Sequence, residues 1–167
     1  MNGQINRISV GQRLLEGLFE AEKMRMSAEQ YIKVIMPLSD EKKLLVRALE
    51  RIYSGVVLII NRVLQYEYVN GRVKLSKDKE DNLRVFFKVV RKYGLNEEDL
   101  AKVREILFIG RKHRESGMEF SRRNGFVVLD DDLKHYHLNE NKIKEFIIVE
   151  KRLINCVKRA FRGSFSV

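Results

Sequence analysis

The chain has 167 residues, 44% of them apolar and 34% charged, which excludes a disordered polymer and suits a single domain over 1–167 with its own hydrophobic core. One proline and ten glycines are too few to interrupt long helices often, and the lone Cys156 excludes a disulfide framework or a multi-cysteine zinc site. Thirty-three Lys and Arg against 23 Asp and Glu leave a net charge of +10, a surplus that draws a protein toward polyanions without saying which.

A first helix is expected over 10–36, with Ser9 as N-cap and Gln12 three residues on, as in a capping box. Leu14, Leu18, Ala21, Met24, Ala28, Ile32 and Ile35 recur every three or four residues and share a face, and Pro37 should close the helix. A second helix follows to about Tyr68, capped by Ser39 or Asp40. Its stripe through Leu45, Leu49, Ile52, Val56 and Val63 is wide enough for the centre of a bundle. Within it, 56–60 is the longest apolar run, far short of the roughly 20 residues a membrane span needs. Residues 1–13 lack the charged start and apolar run of a targeting signal. A cytoplasmic protein with no membrane contact is therefore expected.

Residues 70–79, opening on Asn70-Gly71, form a polar linker. A third helix over 78–93 stops at Gly94, where positive φ is useful. Asn96 caps a fourth, acidic in its first turn (Glu97, Glu98, Asp99) and basic at its end (Arg111, Lys112, His113, Arg114), as the helix dipole favours. After Gly117, residues 118–129 have the pattern of a β-hairpin turning at Asn124-Gly125, and 130–137 that of a polar loop. Asn139 caps a last helix over 140–161, and 162–167 should fray. The fold class is mainly α: an antiparallel bundle of about five helices with one small hairpin before the last.

A long helix with spaced Ala21 and Ala28, an apolar second helix, and the stretch ESGMEFSRRNGFVVLDDD at 115–132 before the final helix together resemble HEPN-like helical bundles, most of all small archaeal proteins of that kind. The resemblance spans about 20–161. Active HEPN ribonucleases carry an Arg-x4-6-His motif whose two side chains act on the RNA phosphodiester. Here Arg111 and Arg104 precede His113 with one and eight residues between, and Arg122 and Arg123 lie too far from His135. The resemblance thus implies a member without the ribonuclease motif, and no catalytic residue is assigned.

The cluster Asp130-Asp131-Asp132-Leu133-Lys134-His135-Tyr136-His137 carries metal-ligand chemistry, but acidic residues after a strand commonly just make a turn, and no metal or other cofactor is expected. Cys156 sits beside the apolar stripe of the last helix, where a free thiol acts as a small buried apolar group. The strongest functional signal is cationic. Lys151, Arg152, Lys158, Arg159 and Arg162 fall within the last seventeen residues, which hold no acid. Arg111, Lys112 and Arg114 end the fourth helix, and Arg122 and Arg123 sit near the hairpin turn. Together these ten are the candidate nucleic-acid contacts, with Phe120, Phe126 and Tyr136 as stacking faces. The expected function is non-enzymatic binding of RNA or a ribonucleoprotein through phosphates. The alternative is a scaffold with a protein partner or a second copy, docked on apolar positions such as Leu58, Ile59, Ile148 and Val149. A degenerate ribonuclease using His113 with Arg111 or Arg114 ranks last.

Overall fold

The computed structural model describes residues 2–163, with side chains from Val10 onward. The first rod is longer than expected at both ends. It comprises α1 (Asn2–Gln30), a π-helical turn (Tyr31–Ile35) and α2 (Met36–Ser39). No proline lies between Asn2 and Ser9 to stop the ladder, so the helix runs through Ser9, which is not its cap. Nor does Pro37 end it. The π turn widens the hydrogen-bond ladder just ahead, and Pro37 then falls in the first turn of α2, where a missing N–H donor costs nothing. Termination waits for Asp40, whose φ of 52° is left-handed and whose N–H reaches the Met36 carbonyl at 2.8 Å.

Asp40 therefore closes one helix instead of capping the next. The second long helix, α3 (Lys43–Val69), follows Lys42 as its N-cap residue and has no side-chain cap. It relies on burial: Leu45, Leu49, Ile52, Val56 and Val63 are each 1% exposed or less. It packs against α1, α4 (Lys79–Lys92), α5 (Glu97–Glu115) and α6 (Glu140–Gly163), and so forms the centre of the bundle. Asp78, Asn96 and Asn139 cap α4, α5 and α6, each accepting a backbone N–H at 2.8 Å. Gly94 takes φ 100° between α4 and α5. Arg162 and Gly163 continue α6; the rest of the segment expected to fray, 164–167, lies outside the described residues.

The hairpin is present, and a third strand extends it. β1 (Met118–Arg122), β2 (Gly125–Leu129) and β3 (His135–Leu138) form an antiparallel sheet in that order. Arg122 pairs with Gly125, so the turn is Arg123-Asn124, one residue earlier than expected. Gly125 serves another purpose: a Cβ there would strike the Leu138 carbonyl of β3. The expected loop 130–137 contains β3, in which His137 faces Val127 and Leu138 faces Phe126. β2 is buried throughout and packs on α3 and α5, while β1 is exposed. Among the described residues no helix is long and apolar enough to cross a membrane.

Candidate nucleic-acid interface

The α6 cations follow helical spacing. Arg152 and Arg159 are two turns apart, with Lys158 and Arg162 close by. These four face the corner after α4 and line a concavity of 610 Å³ together with Gly94, Leu95, Asn96 and Asp99. Arg152 is anchored there by the buried Asp99 carboxylate at 2.9 Å. Lys151 lies on the α1 side of α6. Its charge and that of Lys158 help hold the Glu22 carboxyl below its ordinary value, a shift due first to the hydrogen bond from Arg25.

The other candidates are dispersed. Lys112 is held by Asp130 at 3.3 Å. Arg114 donates to Ser54 Oγ at 3.2 Å and lies over the Tyr53 ring. Arg122 covers Phe120, and with Arg123 it borders a separate hollow at the sheet's edge, near Asn139. Phe126 is buried, and Tyr136 packs edge-on against Phe108 at 5.3 Å.

Arg111 belongs to a second cationic site, between α4 and α5. That groove of 520 Å³ has an apolar floor of Leu83, Phe87, Leu107 and Phe108. Around it stand Arg84, Lys88, Arg91, Arg104 and Arg111, with Glu80 as the one acidic lining residue. Arg84 pairs with Asp81 at 2.5 Å, Arg91 with Glu97 at 2.5 Å and Arg111 with Glu80 at 3.4 Å. Among the described residues Lys88 and Arg104 form no ion pair within 4 Å, though Arg104 helps to hold the Glu97 carboxyl below its ordinary value, a shift due first to the hydrogen bond from Arg91, and the Arg104 guanidinium lies over the Phe87 ring, 4.4 Å from its centroid. Phe108 is 48% exposed. Local density of charge along the chain does not single out Arg84, Lys88, Arg91 or Arg104. Spacing does: 84, 88 and 91 fall on one face of α4, and 104 and 111 on one face of α5.

His113 is the best-held titratable group nearby. Its Nε2 meets Glu50 of α3 at 3.0 Å, and its Nδ1 meets Glu119 of β1. Desolvation opposes the charged ring, but the two carboxylates outweigh it and raise its pKa above the ordinary 6.5. Both ring nitrogens are thereby turned toward carboxylates. Cys156 is buried with its thiol near the Tyr93 carbonyl at 3.3 Å, and burial pushes its pKa up. His135 and His137 stack at 6.4 Å on one side of β3. Among the described residues no three His, Cys, Asp or Glu side chains converge as a metal site.

Set against protein-family models, curated proteins and solved structures, the chain matches none.

Proposed function

We propose that the protein binds RNA, alone or within a ribonucleoprotein, through phosphate contacts around the α4–α5 corner. One observation carries this. One concavity lies at that corner and another runs along the groove between the two helices, and nine cationic residues line them against two acidic ones, Glu80 and Asp99. Such a concentration of positive charge in concave surface attracts a phosphate backbone and contributes affinity without reading sequence. The HEPN-like resemblance supports the same ligand, and the missing Arg-x4-6-His spacing supports binding without cleavage. The test is the salt dependence of RNA binding. If about six phosphates are neutralised, log affinity falls against log salt with a slope near −4 for single strands. Arg104→Glu with Arg159→Glu should abolish binding, whereas Lys151→Glu should weaken it little. Flat salt dependence, or no binding by the wild type at low salt, removes the proposal.

A second proposal, docking of a protein partner or a second copy, has its own supporting observation. Ile59 and Val149 are buried and Leu58 is half-buried, which leaves only Ile148 of those four positions exposed. Five other large apolar side chains are exposed along the first rod: Leu15, Phe19, Met26, Val34 and Leu38. The π turn absorbs one residue between Met26 and Val34, which brings the last two onto the side of the first three. Sedimentation of the wild type and of Met26→Glu tests this: a monomer of 19.7 kDa at every concentration counts against a second copy.

A further inference from the structure

We infer that the groove between α4 and α5 is a seat for an unpaired nucleobase, so that the protein selects single-stranded over double-stranded RNA. The inference rests on the RNA proposal and deepens it. A site for phosphate alone needs only exposed cations, as in the α6 concavity, where the charged and polar rim predominates. The α4–α5 groove differs in having a continuous apolar floor beneath its cations. Water solvates that floor poorly, and a duplex, whose bases are stacked inside, has nothing to place on it.

The stacking partners are already arranged. The Arg104 guanidinium carbon lies over Phe87, 4.4 Å from the ring centroid, and the side chain is exposed, so a flat ring can reach it from the solvent side. Phe108, one helical turn further along α5, contributes a half-exposed ring to the same groove. A base lying on Arg104 beside Phe108 extends the Phe87–Arg104 stack by one layer, since guanidinium planes and aromatic rings both accept bases in this way. Lys88, with no carboxylate partner among the described residues, then stands at the rim for the phosphate of that nucleotide, and Arg84 and Arg111 stand ready to exchange a carboxylate for the flanking ones.

The experiment compares a single-stranded RNA oligonucleotide carrying one 2-aminopurine with its duplex, for the wild type and three variants. In Phe108→Ala, single-strand affinity should fall about tenfold or more, the 2-aminopurine quenching should disappear, and duplex affinity should not change. Arg104→Lys keeps the charge and removes the plane, and should give the same selective loss. Arg159→Glu, in the other concavity, should weaken both ligands. If Phe108→Ala and Arg104→Lys leave single-strand affinity intact, or weaken the duplex equally, the base seat is overturned while RNA binding stands. If the wild type binds neither ligand, the RNA proposal fails and the base seat with it.

Discussion

The carboxyl group of Glu150 occupies the space that a side chain on Gly55 would fill. Glu150 lies on α6, fully buried, and neither carboxyl oxygen has a hydrogen-bond partner among the described residues. A Cβ on Gly55 of α3 would collide with Oε1. Burial pushes the Glu150 pKa well above 4.5, opposed by Arg25 and reinforced by Glu22 on α1. A carboxyl raised in the fold stabilises it at low pH. Above 4.5 the unfolded chain releases a proton that the fold retains, so stability falls by up to about 1.4 kcal/mol per pH unit until the folded group ionises. Urea unfolding should show that slope in the wild type and a flatter profile in Glu150→Gln. Gly55→Ala should cost about 1–3 kcal/mol, because the fully buried Glu150 carboxyl must shift to admit the methyl.

His113 acts in the same direction at higher pH. Its folded pKa is raised by Glu50 and Glu119, so its contribution is complete below 6.5 and is lost as pH rises through the folded value. Because the imidazolium ties α5 to α3 on one side and to β1 on the other, that loss should loosen the sheet first. Hydrogen exchange of the β1 amides should quicken with rising pH beyond the intrinsic rate in the wild type. In His113→Gln it should be fast throughout and should follow the intrinsic rate alone.

Gly125 offers a test of how β3 is seated. The obstacle to a side chain there is backbone, the Leu138 carbonyl, which cannot swing aside as a side chain can. Gly125→Ala should separate β3 from β2 at the Phe126–Leu138 pair and disturb the adjoining Asn139 cap of α6. Backbone amide shifts should change at 135–142 and stay fixed in α4.

That position also shows where sequence is silent. Asn124-Gly125 carries the signature of a two-residue turn, yet the glycine is needed for a close approach by a strand thirteen residues on, and no local pattern records a distant carbonyl. Asn96 and Asn139 are legible because a cap acts on amides about three residues away, whereas Asp78, expected as the first residue of its helix, is that helix's cap. Pro37 misleads for a related reason: its effect depends on whether the ladder ahead of it is α or π, and the π turn carries no local signature. The site divides along the same line. Four of the five α6 cations, all but Lys151, stand together in sequence and in space, whereas the α4–α5 groove joins residues such as Arg84 and Arg104 whose neighbourhood exists only after the two helices pair.

Asp130 organises the turn that makes β3 possible. Its Oδ1 accepts the N–H groups of Asp132 at 3.0 Å and Lys134 at 2.9 Å, and its Oδ2 accepts the Tyr136 hydroxyl at 2.9 Å. Within this turn Leu133 takes φ 61°, a conformation unfavourable for a branched side chain, and stands exposed. Burial works against the Asp130 carboxylate, but the Lys134 N–H, Tyr136 and Lys112 together hold its pKa below 3.8. Its contribution is therefore present above 3.8 and is lost as pH falls through the lower folded value. Asp130→Asn keeps a side-chain oxygen for the amides but drops the charge that binds Lys112, so it should retain β3 while removing the acid-side dependence. Asp130→Ala should lose β3 protection altogether, and Leu133→Gly should strengthen it by relieving the left-handed residue. Hydrogen exchange at Val127 and His137 distinguishes the three. Equal protection in all of them would mean that the strand is held by β2 alone.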